Sequence, residues 1–242
     1  MKYQFFIGIL ILAFIWAVGF LRRKDLRWPM IWSGFFYAGV LAFGFTIFRL
    51  GELLFPVGSG KEIVPGYWNP NTLFDLGRLT GGYSIEDGLF MFFVGGITAY
   101  SYELFFKKRI KVFKINRERH LRAILVAATV SGLFGFLTDL NLIYSLMTFG
   151  LAGTVSMWVE RPDLISHSIK GGGVFVVIYI LAFYFFTNLF PNFVTENYNL
   201  KNITGLLIFG IPLEEFLYAL SFGLMWAPIY EYEHGAKDTN FS

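Results

Sequence analysis

The chain has 242 residues, of which 55% are hydrophobic, 20% aromatic and only 15% charged. A soluble domain of this length carries roughly a quarter charged residues, so the composition excludes such a domain and predicts an integral membrane protein. The absence of cysteine excludes a disulfide framework and a thiolate nucleophile, and the net charge of +3, which lies in loops, does not favour nucleic acid as a partner.

Seven apolar stretches are long enough to cross a membrane, which takes about 20 mostly apolar residues. The first is predicted to be a retained span, because its basic cluster Arg22-Arg23-Lys24 follows the apolar run, whereas that of a signal peptide precedes it. The predicted spans are Tyr3–Leu21, Trp28–Phe55, Glu86–Phe106, Leu121–Leu137, Leu142–Val159, Gly172–Phe190 and Ile203–Tyr230.

The lysines and arginines orient these spans, because cytoplasmic loops of membrane proteins are enriched in both. With seven spans, 15 of the 20 lysines and arginines lie after the first, third and fifth spans or in the C-terminal tail. The sequence therefore predicts a multi-pass protein of the cell membrane, with its N-terminus outside and its C-terminus in the cytoplasm.

Two acidic pairs mark an internal repeat. A shift of 128 residues, from 86 to 214, superposes Glu86-Asp87 on Glu214-Glu215 and Glu103 on Glu231. Such a gapless match favours duplication. The predicted fold is all-α, with two three-helix repeats that are parallel because a connector helix separates them. The predicted units are the first repeat at 1–106, the basic loop and connector helix at 107–138, and the second repeat with a short tail at 139–242.

The residues around the second pair carry a resemblance. Pro212-Leu213-Glu214-Glu215, Leu217-Tyr218 and Tyr230-Glu231 resemble the signature of the lycopene cyclase domain family, small membrane cyclases of carotenoid synthesis. The first copy, Ile85-Glu86-Asp87, matches more loosely, since Ser84 stands in place of proline and Asp87 in place of glutamate. In that family the two domains are separate subunits or fused in one chain, and this chain resembles the fused form.

The resemblance implies an isomerase similar to lycopene β-cyclases, which converts the ψ-end groups of lycopene or a related linear polyene to ionone-type rings without net redox change. An acid protonates the terminal double bond, the neighbouring double bond attacks the cation, and a base removes a ring proton. A carboxyl in apolar surroundings can stay protonated, and adjacent carboxyls titrate apart. The catalytic candidates are Glu214, Glu215, Glu86 and Asp87. The candidates for substrate binding by cation–π contact are Phe90, Phe93, Tyr218 and Trp226.

Consecutive helical residues point about 100° apart, so one member of each pair is expected to face the bundle and the other a loop or its own cap. No cofactor and no metal are predicted. The expected partners are the lipid-soluble polyene and membrane lipid, and the sequence is compatible with a homo-oligomer or with association with other carotenoid-pathway enzymes.

Other charged residues have simpler interpretations. Acidic residues at a helix start complement the helix dipole, and Arg49 or Arg78 could pair with them. Glu103 and Glu231 are predicted to reach the cytoplasmic interface, meet basic loops and serve a structural role. The three histidines are predicted to be solvated in cytoplasmic loops or the tail, and they are His120, His167 and His234.

Two other functions remain open, a small membrane transporter and a non-catalytic membrane subunit in which the first acidic motif has degenerated. A retinal protein is excluded because the predicted seventh span has no lysine for a Schiff base. The histidine-rich boxes of di-iron desaturases and the aspartate-rich motifs of prenyltransferases are also absent.

Overall fold

The computed structural model describes residues 3–54, 61–80, 83–106, 108–112 and 121–240. Within these ranges the protein is mainly α-helical, and five helices are long and apolar enough to cross a membrane. The protein is therefore an all-α, multi-pass membrane protein. Its described α-helices are α1 Gln4–Arg22, α2 Arg27–Leu54, α3 Leu76–Leu79, α4 Ile85–Phe106, α5 Arg122–Leu137, α6 Leu142–Glu160, α7 Ile165–Leu189, α8 Phe193–Asn197, α9 Leu213–Trp226 and α10 Ile229–His234. The strands are β1 Lys108–Val112, β2 Leu207–Ile208, β3 Ile211–Pro212 and β4 Ala236–Asn240.

The first five predicted spans are confirmed as helices, and their ends differ from the predicted ones by no more than one residue. They are α1, α2, α4, α5 and α6. The five membrane-length helices lie in α1, α2, α4, α6 and α7, whereas α5 has 16 residues and α9 has 14. Long apolar runs thus predicted the helices well, because lipid-facing segments must satisfy their own backbone hydrogen bonds.

The predicted seventh helix, Ile203–Tyr230, is wrong as one continuous helix. A small hairpin of β2 and β3 precedes α9, and Gly210 forms its turn with a φ of +78° that favours glycine. Pro228 separates α9 from α10, since proline has no N–H for the helical ladder.

The predicted start of the sixth span at Gly172 is also wrong, because α7 begins at Ile165. The first turns of α7 contain polar residues that lower their hydropathy, yet His167 and Ser168 are buried against protein. The Ser168 hydroxyl donates to the backbone carbonyl of Leu224 in α9. Polar side chains that bond to a neighbouring helix let a membrane helix extend beyond its apolar stretch.

The helices pack as two groups. Helix α4 packs on α1 and α2, and α9 packs in the same way on α6 and α7. Helix α5 packs on α6, while contact between α4 and α7 joins the two groups. Strands β1 and β4 pair in antiparallel fashion and tie the segment after α4 to the segment after α10. The acidic pairs consequently start the two helices at the centre of the groups, α4 and α9.

The run Gly171-Gly172-Gly173 lies inside α7, where small residues allow a close helix contact. A Cβ atom on Gly172 would lie 2.9 Å from the backbone carbonyl carbon of Gly223 in α9, whereas one on Gly173 would have no atom within 4 Å. We expect Gly172→Ala to lower the free energy of unfolding by roughly 1–3 kcal/mol through overpacking.

The adjacent Gly173→Ala is the matched control, and its gain in helix propensity, at most about 1 kcal/mol, is expected to leave stability unchanged or slightly higher. Thermal unfolding in one detergent compares the two variants. Equal unfolding temperatures would contradict the close α7–α9 contact.

Candidate active site

An apolar cavity, with about 980 Å³ of empty space that includes its opening to the surroundings, is lined by side chains from both halves of the chain. Its walls come from α1, α2, α4, α6, α7 and α9, and from the segments around residues 63–68 and 193–198. Among the described residues, two carboxyl groups line it, Asp87 of α4 and Glu215 of α9. The aromatic residues in its lining are Phe5, Tyr37, Tyr67, Trp68, Phe90, Tyr179, Phe183, Phe186, Phe193, Tyr198 and Tyr218.

The first member of each acidic pair holds the segment that precedes its own helix. Glu86, which is 1% exposed, accepts a hydrogen bond from the backbone N–H of Leu73 over 2.6 Å. Glu214 is fully buried and accepts from the backbone N–H of Thr204 over 2.9 Å and from the Tyr144 hydroxyl over 2.8 Å. Both side chains thus fix a loop to a helix start, and neither lines the cavity.

The second member of the first pair, Asp87, forms a capping box with Ser84. The backbone N–H and the hydroxyl of Ser84 donate to Asp87 Oδ2 over 2.8 and 2.5 Å, and the Asp87 N–H donates back to Ser84 Oγ over 3.2 Å. This reciprocal pattern satisfies amides that the helix start would otherwise leave free. Serine in place of proline at position 84 therefore orients the carboxyl group that lines the cavity.

The second member of the second pair, Glu215, accepts hydrogen bonds from three tyrosine hydroxyls. Tyr67 and Tyr198 donate to Oε1 over 2.7 and 2.8 Å, and Tyr179 donates to Oε2 over 2.6 Å. The Glu215 side chain is buried. Three donors from separate segments fix both carboxyl oxygens and stabilise their charged form.

Two of these tyrosines, Tyr67 and Tyr198, lie in loops outside the membrane-spanning helices. Burial, and next the nearby Glu215 carboxylate, raise the pKa of both hydroxyls well above the usual value for tyrosine. Both therefore remain protonated at neutral pH, which keeps them as donors and Glu215 as the acceptor.

The segment before α4 and the segment before α9 also bind each other through backbone hydrogen bonds. The Asn69 N–H donates to the Asn197 carbonyl over 2.7 Å, and the Asn199 N–H donates to the Tyr67 carbonyl over 2.8 Å. Tyr67 is only 4% exposed, and the neighbouring Trp68 also lines the cavity. This part of the loop between α2 and α4 therefore forms one wall of the cavity, while residues 55–60 of the same loop lie outside the described residues.

Two segments of the chain match the same protein family. The model of the lycopene cyclase family matches residues 3–105 and 141–233, which is most of the chain. The chain belongs to the lycopene cyclase family. No curated protein and no solved structure matches it. Membership makes it a cyclase, an isomerase-type enzyme of carotenoid biosynthesis.

The four predicted catalytic carboxyl groups of the cyclase fall into two pairs with different surroundings. Asp87 and Glu215 line the common cavity, whereas Glu86 and Glu214 bind loops. The described hydrogen bonds to these carboxyls come from backbone amides, Ser84 and tyrosines. Arg49, predicted as an alternative partner, is exposed on α2, and the Arg78 side chain lies outside the described residues.

Of the four aromatic residues predicted to bind the substrate, two line the cavity and two do not. Phe90 and Tyr218 line the cavity of the cyclase, and the Tyr218 hydroxyl lies 2.5 Å from that of Tyr37. Phe93 and Trp226 are not part of its lining. Trp226 is fully buried and stacks on Phe222, so its contacts are those of a packing residue.

The tyrosines around Glu215 were not predicted from the sequence as site residues of the cyclase. Tyr67, Tyr179 and Tyr198 belong to a loop, α7 and a second loop, and no spacing relates them to one another. The one indication in the sequence is the aromatic composition of the loop that contains Tyr67 and Trp68. Long-range folding brings the three hydroxyls onto one carboxyl.

The histidine predictions are corrected for two residues. His167 is 2% exposed within α7, because the helix starts earlier than predicted. His234 is only partly exposed in α10 and stacks on Tyr230, with ring centroids 4.0 Å apart. His120 lies outside the described residues.

Proposed function

We propose that this protein cyclises the ψ-end groups of lycopene or a related linear polyene to ionone-type rings, in the manner of lycopene β-cyclases. One observation carries the proposal, namely that one carboxyl group from each half, Asp87 and Glu215, lines a single apolar and aromatic cavity. An acid and a base in apolar surroundings are what protonation of a double bond and removal of a ring proton require.

The hydrogen bonds divide the two roles. Glu215 is held by three hydroxyl donors, so we assign it as the base and as the carboxylate that stabilises the cation. Asp87 receives both described hydrogen bonds from Ser84 on Oδ2, and no described residue donates to Oδ1. We assign Asp87 as the acid, since fewer donors favour the protonated carboxyl that must give up its proton.

The reaction then balances without a redox partner. The Asp87 carboxyl transfers its proton to the terminal double bond, which leaves a tertiary cation on the neighbouring carbon. The next double bond attacks this carbon and closes the ring, and Glu215 takes a proton from the resulting cation. One proton has been added and one removed, so the product is an isomer. Proton exchange with water then restores Asp87 and Glu215.

The aromatic lining serves the cationic intermediate. Phe90, Tyr218 and Tyr179 line the cavity, and the face of an aromatic ring attracts a cation. The apolar walls also keep water from capturing the cation before the proton leaves.

We further propose seven spans arranged as two parallel repeats, with both acidic pairs on the outer side. Equivalent contacts in the two halves support this arrangement. Glu86 and Glu214 each bind the loop before their helix. In the same way, Arg23 pairs with Asp25 after α1 and Arg161 with Asp163 after α6, each over 2.8 Å. In this arrangement α5 is the connector, and α9 with α10 completes the last span.

Expression of the chain alone in a lycopene-accumulating bacterial host tests the proposal. We expect lycopene to be converted to monocyclic or bicyclic carotene, because both carboxyls of the site belong to this one chain. The control is an Asp87→Asn, Glu215→Gln double variant at equal membrane abundance, which should leave lycopene unchanged. Unconverted lycopene in the wild-type host, despite a folded membrane-inserted protein, would count against the cyclisation of lycopene by this chain and would favour a transporter or a subunit without catalysis.

A further inference from the structure

A second group of buried titratable side chains lies far from the cavity. It consists of Glu103, His167 and Glu231, and we call it the Glu-His-Glu cluster. Glu103 lies 17 residues after Glu86 on α4, which is about 26 Å along a helix. The three side chains are 0%, 2% and 0% exposed. They come from the end of α4, the start of α7 and α10, so the cluster joins three helices.

The possible metal-ligand atoms of the Glu-His-Glu cluster lie close together. One ligand atom from each residue lies within 4.8 Å of those of the other two, and His167 Nε2 lies 3.5 Å from Glu103 Oε1. That separation exceeds the donor–acceptor distance of a usual hydrogen bond, which is about 2.7–3.2 Å. It is close to the roughly 3.4 Å between two ligands bound at about 2.1 Å to one tetrahedral metal ion.

We propose that the Glu-His-Glu cluster binds one divalent transition-metal ion of the Zn²⁺ type. Imidazole and carboxylate groups both bind such ions, and water fills the fourth position where the protein supplies three ligands. Two carboxylates and one divalent cation sum to zero charge, and a neutral assembly is what complete burial favours. Because one glutamate comes from each repeat, the ion would fasten the two halves together at the end remote from Asp87 and Glu215.

Two arginines lie beside the Glu-His-Glu cluster and offer an arrangement without a metal ion. Arg23 donates to the backbone carbonyl of Glu103 over 2.9 Å, and Arg161 donates to that of Glu231 over 3.4 Å. Each guanidinium also forms two hydrogen bonds with an aspartate, Asp25 or Asp163. A metal-free network of the carboxylates, the imidazole and the two arginines is therefore the alternative that an experiment must separate from a metal site.

The experiment uses the purified full chain in detergent, stripped with a chelator and titrated with Co²⁺, which replaces Zn²⁺ and absorbs visible light. We expect one Co²⁺ per chain, with the visible d–d bands of a site bearing nitrogen and oxygen ligands. Zn²⁺ is expected to compete for the site and to raise the unfolding temperature of the stripped protein. Neither readout depends on cyclase activity, so the result is independent of the proposed reaction.

Variants locate the ion. Loss of an outer-shell partner alone costs roughly 10–100-fold in metal affinity, so His167→Gln and Glu231→Gln are expected to weaken Co²⁺ binding at least about 100-fold. Asp139→Asn removes an exposed carboxyl that lies 3.6 Å from Lys61 and should leave binding unchanged. Wild-type protein that takes up no stoichiometric Co²⁺ and is not stabilised by Zn²⁺ would overturn the proposal, even if a variant failed to fold. Binding that persists in the two cluster variants would also overturn it.

Discussion

Glu215→Gln is expected to abolish ring formation, with a fall of at least about 100-fold in kcat/KM, because a general base of this kind contributes roughly 10²–10⁴-fold. The amide cannot take a proton from the ring. Its NH₂ group also cannot accept the hydroxyl hydrogen bonds that Tyr67, Tyr179 and Tyr198 donate to the carboxylate. The measurement is the rate of cyclic product formation in isolated membranes with equal amounts of enzyme.

Glu214→Gln is the matched control for this prediction, since it is the adjacent residue with the same change of charge. The amide oxygen can still accept from Thr204 and Tyr144, so we expect activity within about tenfold of wild type, a loss of less than about 1.4 kcal/mol in transition-state stabilisation. Equal losses in the two variants would show that the second glutamate has no special role.

Asp87→Asn is expected to stop the reaction at its first step, with a similar loss of at least about 100-fold. Asparagine has no acidic proton to give to the terminal double bond. Its side-chain oxygen can still accept from the N–H and hydroxyl of Ser84, so the capping box and the helix start should persist. Activity is again measured as product formed in membranes, and substrate is expected to accumulate without partly cyclised intermediates.

A stability measurement separates chemistry from folding at Asp87. We expect the unfolding temperature of Asp87→Asn to stay near that of wild type. Ser84→Ala removes the hydroxyl but keeps the backbone N–H that donates to Asp87. It should lower stability by about 1 kcal/mol and retain far more cyclase activity than Asp87→Asn. An Asp87→Asn variant that still formed rings would remove Asp87 from the role of acid.

The sequence predicted the parts of this fold that depend on one segment at a time. Apolar length located α1, α2, α4, α5 and α6, and the duplicated acidic pairs located the starts of the two central helices. The expectation that the two members of each pair face different ways agrees with the contacts of Glu86, Asp87, Glu214 and Glu215. A helix turns by about 100° per residue, and this rotation needs no knowledge of the neighbouring helices.

The remaining parts depend on contacts between distant segments. The start of α7 was missed because His167 and Ser168 are polar, and only their burial against other helices explains a helix there. The close approach of Gly172 to Gly223 was not predicted either, because it depends on how α7 packs against α9. The donors to Glu215 could not be predicted, because Tyr67, Tyr179 and Tyr198 come from three segments that are distant in the sequence and meet only in the folded chain.

The measurement that tests the central claim most directly is cyclisation by wild-type membranes equilibrated in D₂O, with mass spectrometry of the product. Proton transfer from an exchangeable carboxyl predicts one deuterium retained on carbon for each ring formed, while the product made in H₂O keeps the mass of the substrate. Rings formed without deuterium, or a product whose mass in H₂O differs from that of the substrate, would contradict acid-catalysed cyclisation between Asp87 and Glu215.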